Sequence, residues 1–239
     1  MRITTWNTRQ NTELRVPRAF QVLQPHLLIA PETSSRPPMV HFDVDGSHVW
    51  EEAKSGHRQK GLGVYTSSGF ELDRVAAAKF AKTAVATRVQ GSEKSFHLLA
   101  IWTQRNERNG TYSGALDDIV GEFSHLLAQG DCVVAGDFNV SQTLSPRTFP
   151  SLVRRLRDDF GLTSAFHSFH GVAFGDEAGE QFTYWRRSRG EVTGYHIDYI
   201  FVPEDWKIVN VQIGAKEEWA ADSGVLMSDH VPVTVDIDF

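Results

Sequence analysis

Cysteine is almost missing from this chain: Cys132 is the one such residue among 239. No intrachain disulfide can form and no cysteine-based zinc centre can be built. A reducing compartment suits such a chain, and a cytoplasmic location is the expectation. Long apolar runs are missing too. No stretch of about 18 consecutive apolar residues occurs, so no membrane span is expected. The opening "MRITTWNTRQ" carries neither the apolar core nor the small-residue cleavage site of a secretory signal. Basic charge is not in surplus, with 24 Lys and Arg against 30 Asp and Glu and a net charge of −6. That balance argues against tight, non-specific nucleic-acid binding by the surface as a whole. Locally, however, arginines gather at Arg154, Arg155 and Arg157 and at Arg186, Arg187 and Arg189. No repeat, low-complexity block or Pro/Gly/Ser linker interrupts the chain, so a single domain over 1–239 is expected.

What is present reads as an ordinary globular sequence, 41% hydrophobic and 23% charged. Short runs rich in Val, Ile, Thr and aromatics predict strands at Arg2–Trp6, Leu27–Ala30, Gly63–Thr66, Ala84–Val89, Phe96–Trp102, Cys132–Ala135, His196–Val202, Ile208–Ile213 and Val231–Ile237. Several, such as "LLIA", "LLAIW" and "VVA", are apolar on both sides of the pleat and must be covered on both faces. Helical spacing links Leu116, Ile119, Val120, Phe123, Leu126 and Leu127, with Gly130 as a stop. A shorter stripe runs from Leu152 to Phe160 between Pro150 and Gly161, and a weaker one passes through Ala19, Val22 and Leu23 after Pro17. Many strands and few helices without strict alternation predict an α+β fold, with two packed sheets and helices on the outer faces.

The chemistry lies where apolar strands stop. "TTWN" ends at Asn7, "LLIAP" runs into Glu32, and "DCVVAGDFNV" places Asp137 and Asn139 at the end of an apolar strand. "YHIDYIFV" carries His196 and Asp198, and "SDHVPV" sets Asp229 and His230 just before a strand. Taken singly, Asp137 and Asn139 could be turn residues and Asp229–His230 a surface pair. Asp198 is harder to dismiss, because an acid within an apolar strand needs a partner. If these ends converge, they form a pocket of carboxylates and amides without sulfur, which selects Mg²⁺, Mn²⁺ or Ca²⁺ over zinc. Carboxylates held that close repel one another unless a cation sits among them. A water-activating acid and a histidine beside an acid complete the parts for metal-assisted phosphoester hydrolysis.

The segments "TWN" at 5–7, "PE" at 31–32, "GDFN" at 136–139, "HIDYIF" at 196–201 and "SDHVPV" at 228–233 occur in an order that resembles the endonuclease/exonuclease/phosphatase superfamily. That group includes DNase I, exonuclease III, abasic-site endonucleases, sphingomyelinases and inositol phosphatases. The resemblance extends over nearly the whole chain, and is nearest to compact single-domain bacterial members. It implies a four-layer α/β/β/α sandwich with the site at one end of the two sheets. It implies Glu32 as the main ligand of Mg²⁺ (or Mn²⁺), helped by Asn7 and Asp229. Asp137 would activate or orient the attacking water, Asn139 would hold it or the phosphate, His230 would hydrogen-bond the scissile phosphate, and Asp198 would orient His230. Which of Asp137 and His230 is the general base stays open.

Three departures bear on substrate. Arg9 stands where many nuclease members have an acid, and offers a phosphate contact instead. Near the position of a family His or Tyr the chain has "IWTQRN", so Trp102, Gln104, Arg105 or Tyr112 must take that place. Pro31 replaces a common Gln before the glutamate. Trp102 reads equally as core packing or as a stacking surface. "TYWRRSRG" at 183–190, with Trp185, Arg186 and Arg187, reads as a phosphate-gripping arm with aromatics for base stacking, or as a solvated basic loop. "HSFH" at 167–170 reads as a polar loop rather than a metal pair, and "GSEKS" at 91–95 lacks the spacing of a phosphate loop. The leading expectation is a nuclease acting on DNA. Hydrolysis of a small phosphoester or phospholipid headgroup is the alternative, and a non-catalytic binding module is a third reading. No protein partner is implied.

Overall fold

Alternation along the central strands divides their side chains between two different neighbours. Leu27, Ile29, Leu98, Ala100, Val133 and Ala135 share one buried cluster, whereas Leu99, Ile101, Cys132 and Val134 belong to a second and Leu28 and Ala30 to a third. Strands apolar on both faces therefore lie between two layers each. The computed structural model describes residues 1–34, 46–53, 60–79, 83–105, 110–219 and 228–239. Its elements in chain order are β1 (Arg2–Thr5), α1 (Thr12–Leu23), β2 (Leu27–Thr33), β3 (His48–Glu52), β4 (Gly61–Thr66), β5 (Glu71–Ala77), β6 (Ala84–Gln90) and β7 (Ser95–Trp102). They continue with α2 (Tyr112–Glu122), α3 (Ser124–Leu127), β8 (Cys132–Asp137), α4 (Phe149–Phe160), β9 (Leu162–Ser164), α5 (Ala165–His170), β10 (Tyr184–Ser188), β11 (Glu191–Tyr195), β12 (Asp198–Pro203), β13 (Lys207–Ile213), α6 (Lys216–Trp219) and β14 (Val233–Asp238).

Two six-stranded sheets result, with strand orders β13-β14-β1-β2-β4-β3 and β5-β6-β7-β8-β12-β9. Their facing sides enclose the largest core, which includes Ile3, Leu27, Ile29, Leu62, Val85, Leu98, Val133 and Ile200. The outer face of the second sheet is covered by α2, α3 and α4 through Leu116, Ile119, Phe123, Leu126 and Leu156. On the outer face of the first, α1 packs Val16 and Ala19 beside Trp6, Leu28 and Trp219. This is the expected α+β architecture, an α/β/β/α sandwich. No helix among the described residues is long and apolar enough to cross a membrane.

Several boundaries differ from the sequence reading. Helix α1 begins at Thr12 and carries Pro17 inside it, more than a turn earlier than the apolar stripe suggests. The stripe from Leu116 to Leu127 is two helices with a break at Phe123. His196 and Ile197 precede β12 instead of starting it. Edge strands β3 and β5 were not predicted, because "HVWEE" and "ELDRVAA" keep one side in solvent and show no apolar run. The segment "HSFH" lies in helix α5, where His167 is buried, and is not a loop.

Two parallel pairings position the site. Strand β1 runs parallel to β2, and β7 parallel to β8 with Trp102 opposite Asp137. Strand β12 runs antiparallel to β8 with Asp198 opposite Asp137, and β14 antiparallel to β1 with Val233 opposite Thr5. The ends of four strands and the starts of two thus meet at one end of the sandwich.

Candidate active site

Gly136 comes first, because it allows the rest. Its φ of +144° lies outside the range of ordinary L residues, and a β-carbon there would collide with the carbonyl oxygen of Ile101. The chain can then carry Asp137 into the junction of the sheets. Asp137 closes β8 and is 1% exposed. The next residues do not continue the strand. Asn139 donates its backbone N–H to Asp137 Oδ1 at 2.9 Å, and its φ of +54° turns the side-chain amide back to donate to Oδ2 at 3.0 Å. The two side chains are brought together by this left-handed turn and not by strand alternation. Asn139 also donates to the carbonyl of Thr103 at 3.1 Å, which ties the turn to the end of β7.

From the first sheet comes Asn7, fully buried just beyond β1. Its amide nitrogen donates to Asp137 Oδ2 at 2.9 Å and lies 3.3 Å from Glu32 Oε1, while its oxygen accepts the N–H of Arg9 at 3.0 Å. Glu32 is the extra residue of a β-bulge, because Pro31 pairs with Leu62 and Thr33 with Gly61. It has φ of +59°, a backbone state uncommon for a side chain of this size. The bulge turns its carboxylate into the site, where Lys60 Nζ meets Oε2 at 2.7 Å. Asp229 pairs with Arg9 at 3.4 Å.

His230 stands at the same junction. Its Nδ1 donates to Asp198 Oδ2 at 2.8 Å and its Nε2 lies 4.0 Å from Asp137 Oδ2. Burial favours the neutral imidazole, but it is outweighed by the charge and hydrogen bond of Asp198 together with the charges of Asp137 and Asp229. The imidazole is therefore held protonated, well above the usual histidine range. Asp198 accepts a second bond from the Thr183 hydroxyl at 2.7 Å, and Oδ1 has no partner among the described residues. Asp137 shifts upward, mainly through burial and further through Asp198 and Glu32, with His230 opposing. Ligand atoms of Asp137, Asp198 and His230 all lie within 4.8 Å of one another.

The residues considered for substrate contact fall into two places. Trp102 is 5% exposed and belongs to the core between the sheets, yet it also lines a cavity with Glu32, Lys60, Arg105, Tyr112 and Asn139. The Arg105 guanidinium lies over the Tyr112 ring at 5.0 Å. A second cavity shares Arg105, Tyr112 and Asn139 and continues to Tyr184, Arg186 and Tyr195. The segment 183–190 is the first half of a β-hairpin, with Arg189 and Gly190 at positive φ in its turn. Alternation places Tyr184 and Arg186 on the cavity side. Trp185 lies on the other face, where Lys216 approaches its ring at 5.2 Å, and Arg187 follows it. Arg9 is exposed beside Asp229.

Sequence reasoning missed Thr183, Tyr184 and Lys60. Thr183 accepts the N–H groups of Ile197 and Asp198 while donating to Asp198, and Tyr184 lies 4.6 Å from the His230 ring. Thr183 and Tyr184 lie inside "TYWRRSRG", which the sequence singles out as an arm, but nothing in that segment ties them to Asp198 and His230; Lys60 stands in no motif.

Solved structures share this architecture at low identity. An endonuclease/exonuclease/phosphatase from Bacteroides vulgatus superposes with a TM-score of 0.71 at 14% identity, covering 100% of this chain and 98% of that one. Truncated TDP2 from Caenorhabditis elegans gives 0.70 at 13%, covering 100% and 97%. A 3′ phosphatase from Neisseria, NExo, bound to a product DNA hairpin, gives 0.66 at 18%, covering all of both chains. Comparison with curated proteins gives no match. The model of the Endonuclease/Exonuclease/phosphatase family matches residues 4–230, and with its sheets, its strand-end carboxylates and its paired His230 the chain belongs to that family.

Proposed function

We propose that this protein is a divalent-metal-dependent phosphodiester hydrolase that acts on nucleic acid, with DNA as its substrate. One observation carries the reading. Asp137, buried and held by three amide donors, faces the Nε2 of a histidine that a second buried carboxylate locks in place. Such a pair offers a proton acceptor and a proton-bearing donor around one point, as phosphoester hydrolysis requires.

The donor set suits a hard cation. Glu32, Asn7 and Asp229 offer oxygen without sulfur, which is the chemistry of Mg²⁺ or Mn²⁺. Both carboxylates already attract positive groups, Glu32 the ammonium of Lys60 and Asp229 the guanidinium of Arg9. These three residues would hold the ion, which when bound supplies Lewis-acid neutralisation of phosphoryl charge.

The side chains supply the remainder. Asp137 orients the attacking water and takes its proton. Asn139 fixes the carboxylate and lines both cavities. His230, with Nδ1–H committed to Asp198, presents Nε2–H to a phosphoryl oxygen and stabilises charge there. Asp198 positions His230. Arg9, Arg105 and Arg186 contact phosphates, and Tyr112 offers a ring face at the cavity wall. Trp102 stiffens that wall, and Trp185 and Arg187 extend the hairpin's contact with a longer strand. The nucleic-acid reading is supported by the cationic groups around the junction and by the product DNA hairpin bound to the Neisseria 3′ phosphatase.

The test is cleavage of labelled single-stranded, duplex, abasic and 3′-phosphorylated oligonucleotides by pure protein with Mg²⁺, Mn²⁺ or a chelator. Asp137→Asn and His230→Ala should each retain the fold and lose turnover by about a hundredfold or more. Cutting at the wild-type rate by both variants overturns the assignment. The net charge of −6 favours a small phosphoester as competitor. Hydrolysis of an aryl phosphodiester that excess DNA does not inhibit would decide for it.

A further inference from the structure

Glu32 has both carboxylate oxygens occupied. Oε1 faces the Asn7 amide at 3.3 Å and Oε2 the Lys60 ammonium at 2.7 Å. A divalent cation drawn to Glu32 comes up beside both groups and repels the one that is charged. Asn7 cannot yield easily: it is fully buried, donates to Asp137 and accepts from the Arg9 backbone. Lys60 can. Its ammonium ends a flexible four-carbon stem and its side chain is 20% exposed. Its backbone is fixed, because its carbonyl accepts the N–H of Ala53 at 2.9 Å at the mouth of the β3–β4 hairpin.

The surroundings define where a displaced ammonium can go. The cavity in front of Glu32, about 360 Å³, is lined by Glu32, Lys60, Trp102, Thr103, Gln104, Arg105, Tyr112 and Asn139. Glu32 is the one acid among them. Once its charge is engaged by a cation, Lys60 and Arg105 face a space with no remaining anionic side chain among the described lining residues. An ammonium in that position needs an anion from outside, and a phosphate oxygen is the anion this site is built to receive.

We propose that Lys60 is the exchangeable occupant of the Glu32 carboxylate: it neutralises Glu32 before a cation binds and moves onto a non-bridging phosphate oxygen of the substrate when a divalent cation takes Glu32. Lys60 thus competes with the cation and contacts the substrate. It keeps the bulged, half-buried carboxylate neutralised until both ligands arrive, and it makes cation and phosphate uptake mutually supportive. This inference rests on the hydrolase reading above.

The experiment compares wild type, Lys60→Met and Lys60→Arg in three measurements: melting temperature, Mg²⁺ affinity by calorimetry without substrate, and kcat and KM on bis(p-nitrophenyl) phosphate. Lys60→Met should fold, bind Mg²⁺ about fivefold more tightly because its competitor is gone, and lose about tenfold or more in kcat/KM. Lys60→Arg should recover part of the kcat/KM and reverse the gain in Mg²⁺ affinity. A prop that merely holds Glu32 in place would lose Mg²⁺ affinity and activity together, and that result overturns the proposal. Unchanged kcat/KM in Lys60→Met overturns it as well, with the hydrolase reading intact. Should wild type hydrolyse neither this diester nor DNA with any divalent ion, the hydrolase reading fails. Calorimetry then still decides the exchange at Glu32: tighter Mg²⁺ binding by Lys60→Met supports it, and equal or weaker binding refutes it.

Discussion

Asn7 donates its side-chain N–H to Asp137 at 2.9 Å, and this bond joins the two sheets at the end where the candidate site lies. Asn7 follows β1 of the first sheet and Asp137 closes β8 of the second. His230 and Asp198 repeat the arrangement, one residue from each sheet, at 2.8 Å. The site is thus a polar seam across an otherwise apolar sandwich. Its geometry depends on how the sheets pack, and its buried hydrogen bonds hold that packing in register.

Replacing Asn7 by Ala tests the seam. Asp137 would keep the two donors of Asn139 and lose the one from the opposite sheet. A buried carboxylate deprived of a donor costs about 1–3 kcal/mol. Urea denaturation should show that loss, and turnover should fall by at least about tenfold, since Asp137 is no longer aimed from both sides. Full stability together with full activity would mean that the seam has no energetic role.

Thr183→Val is predicted to act on His230 without touching it. The valine keeps the volume but removes a hydroxyl that accepts two backbone N–H groups, from Ile197 and Asp198, and donates to the Asp198 carboxylate. Two buried donors lose their acceptor, so a loss of about 2–4 kcal/mol is expected. Asp198 is then held by His230 alone, and kcat should drop while KM changes little. Thr183→Ser, which retains the hydroxyl, should restore most of both.

Much of this arrangement was legible in the chain. Apolar runs that stop abruptly at Asn7, Glu32 and Asp137 mark strand ends, and strand ends in one sandwich meet at its rims; the acid Asp198, read as lying within another run, marks a group in need of a partner. The means of convergence were not legible. Nothing in "PETS" announces a bulge that turns Glu32 into the site at φ of +59°, and nothing in "GDFN" states that Asn139 turns back on Asp137. Both depend on what the neighbouring strand supplies. Lys60 reaches Glu32 only through the β2–β4 ladder, 28 residues away in sequence. His167 reads as polar, yet it is buried because Ser164 and Glu180 satisfy its two ring nitrogens at 2.8 and 2.9 Å.

The hairpin's alternation yields a contrast between neighbours. Arg186 lies on the cavity face with Tyr184, and Arg187 on the opposite face with Trp185. Arg186→Ala should weaken binding of a short single-stranded oligonucleotide and lower the slope of log K against log salt by about 1. Arg187→Ala should change that slope less. Fluorescence anisotropy over a salt series measures both. Equal effects would place the strand along the outer edge of the hairpin.

Acid should destabilise the fold through His196, apart from Asp137 and His230. Its imidazole is 1% exposed; Nδ1 donates to the carbonyl of Gln181 at 2.7 Å and Nε2 has no partner among the described residues. Burial pushes it down to about 4, with the charge of His167 adding to the shift and Glu180 and the Gln181 carbonyl opposing it. The groups facing it are His167, Glu180, Phe166 and Tyr199. An unfolded histidine binds its proton near pH 6.5, the buried one only near 4, so between those values the unfolded state holds more protons. Stability is therefore complete above pH 6.5 and falls as pH drops through the window, by at most about 1.4 kcal/mol per unit for this one group. Glu180, which titrates below the usual glutamate range in the fold, adds a further loss at the acid end. His196→Asn keeps a donor for Gln181 and cannot titrate, so its urea midpoint should vary less between pH 6.5 and 4.5 than that of the wild type. If the two profiles run parallel, the proton is taken up elsewhere, and His167 with its Glu180 partner becomes the group to replace next.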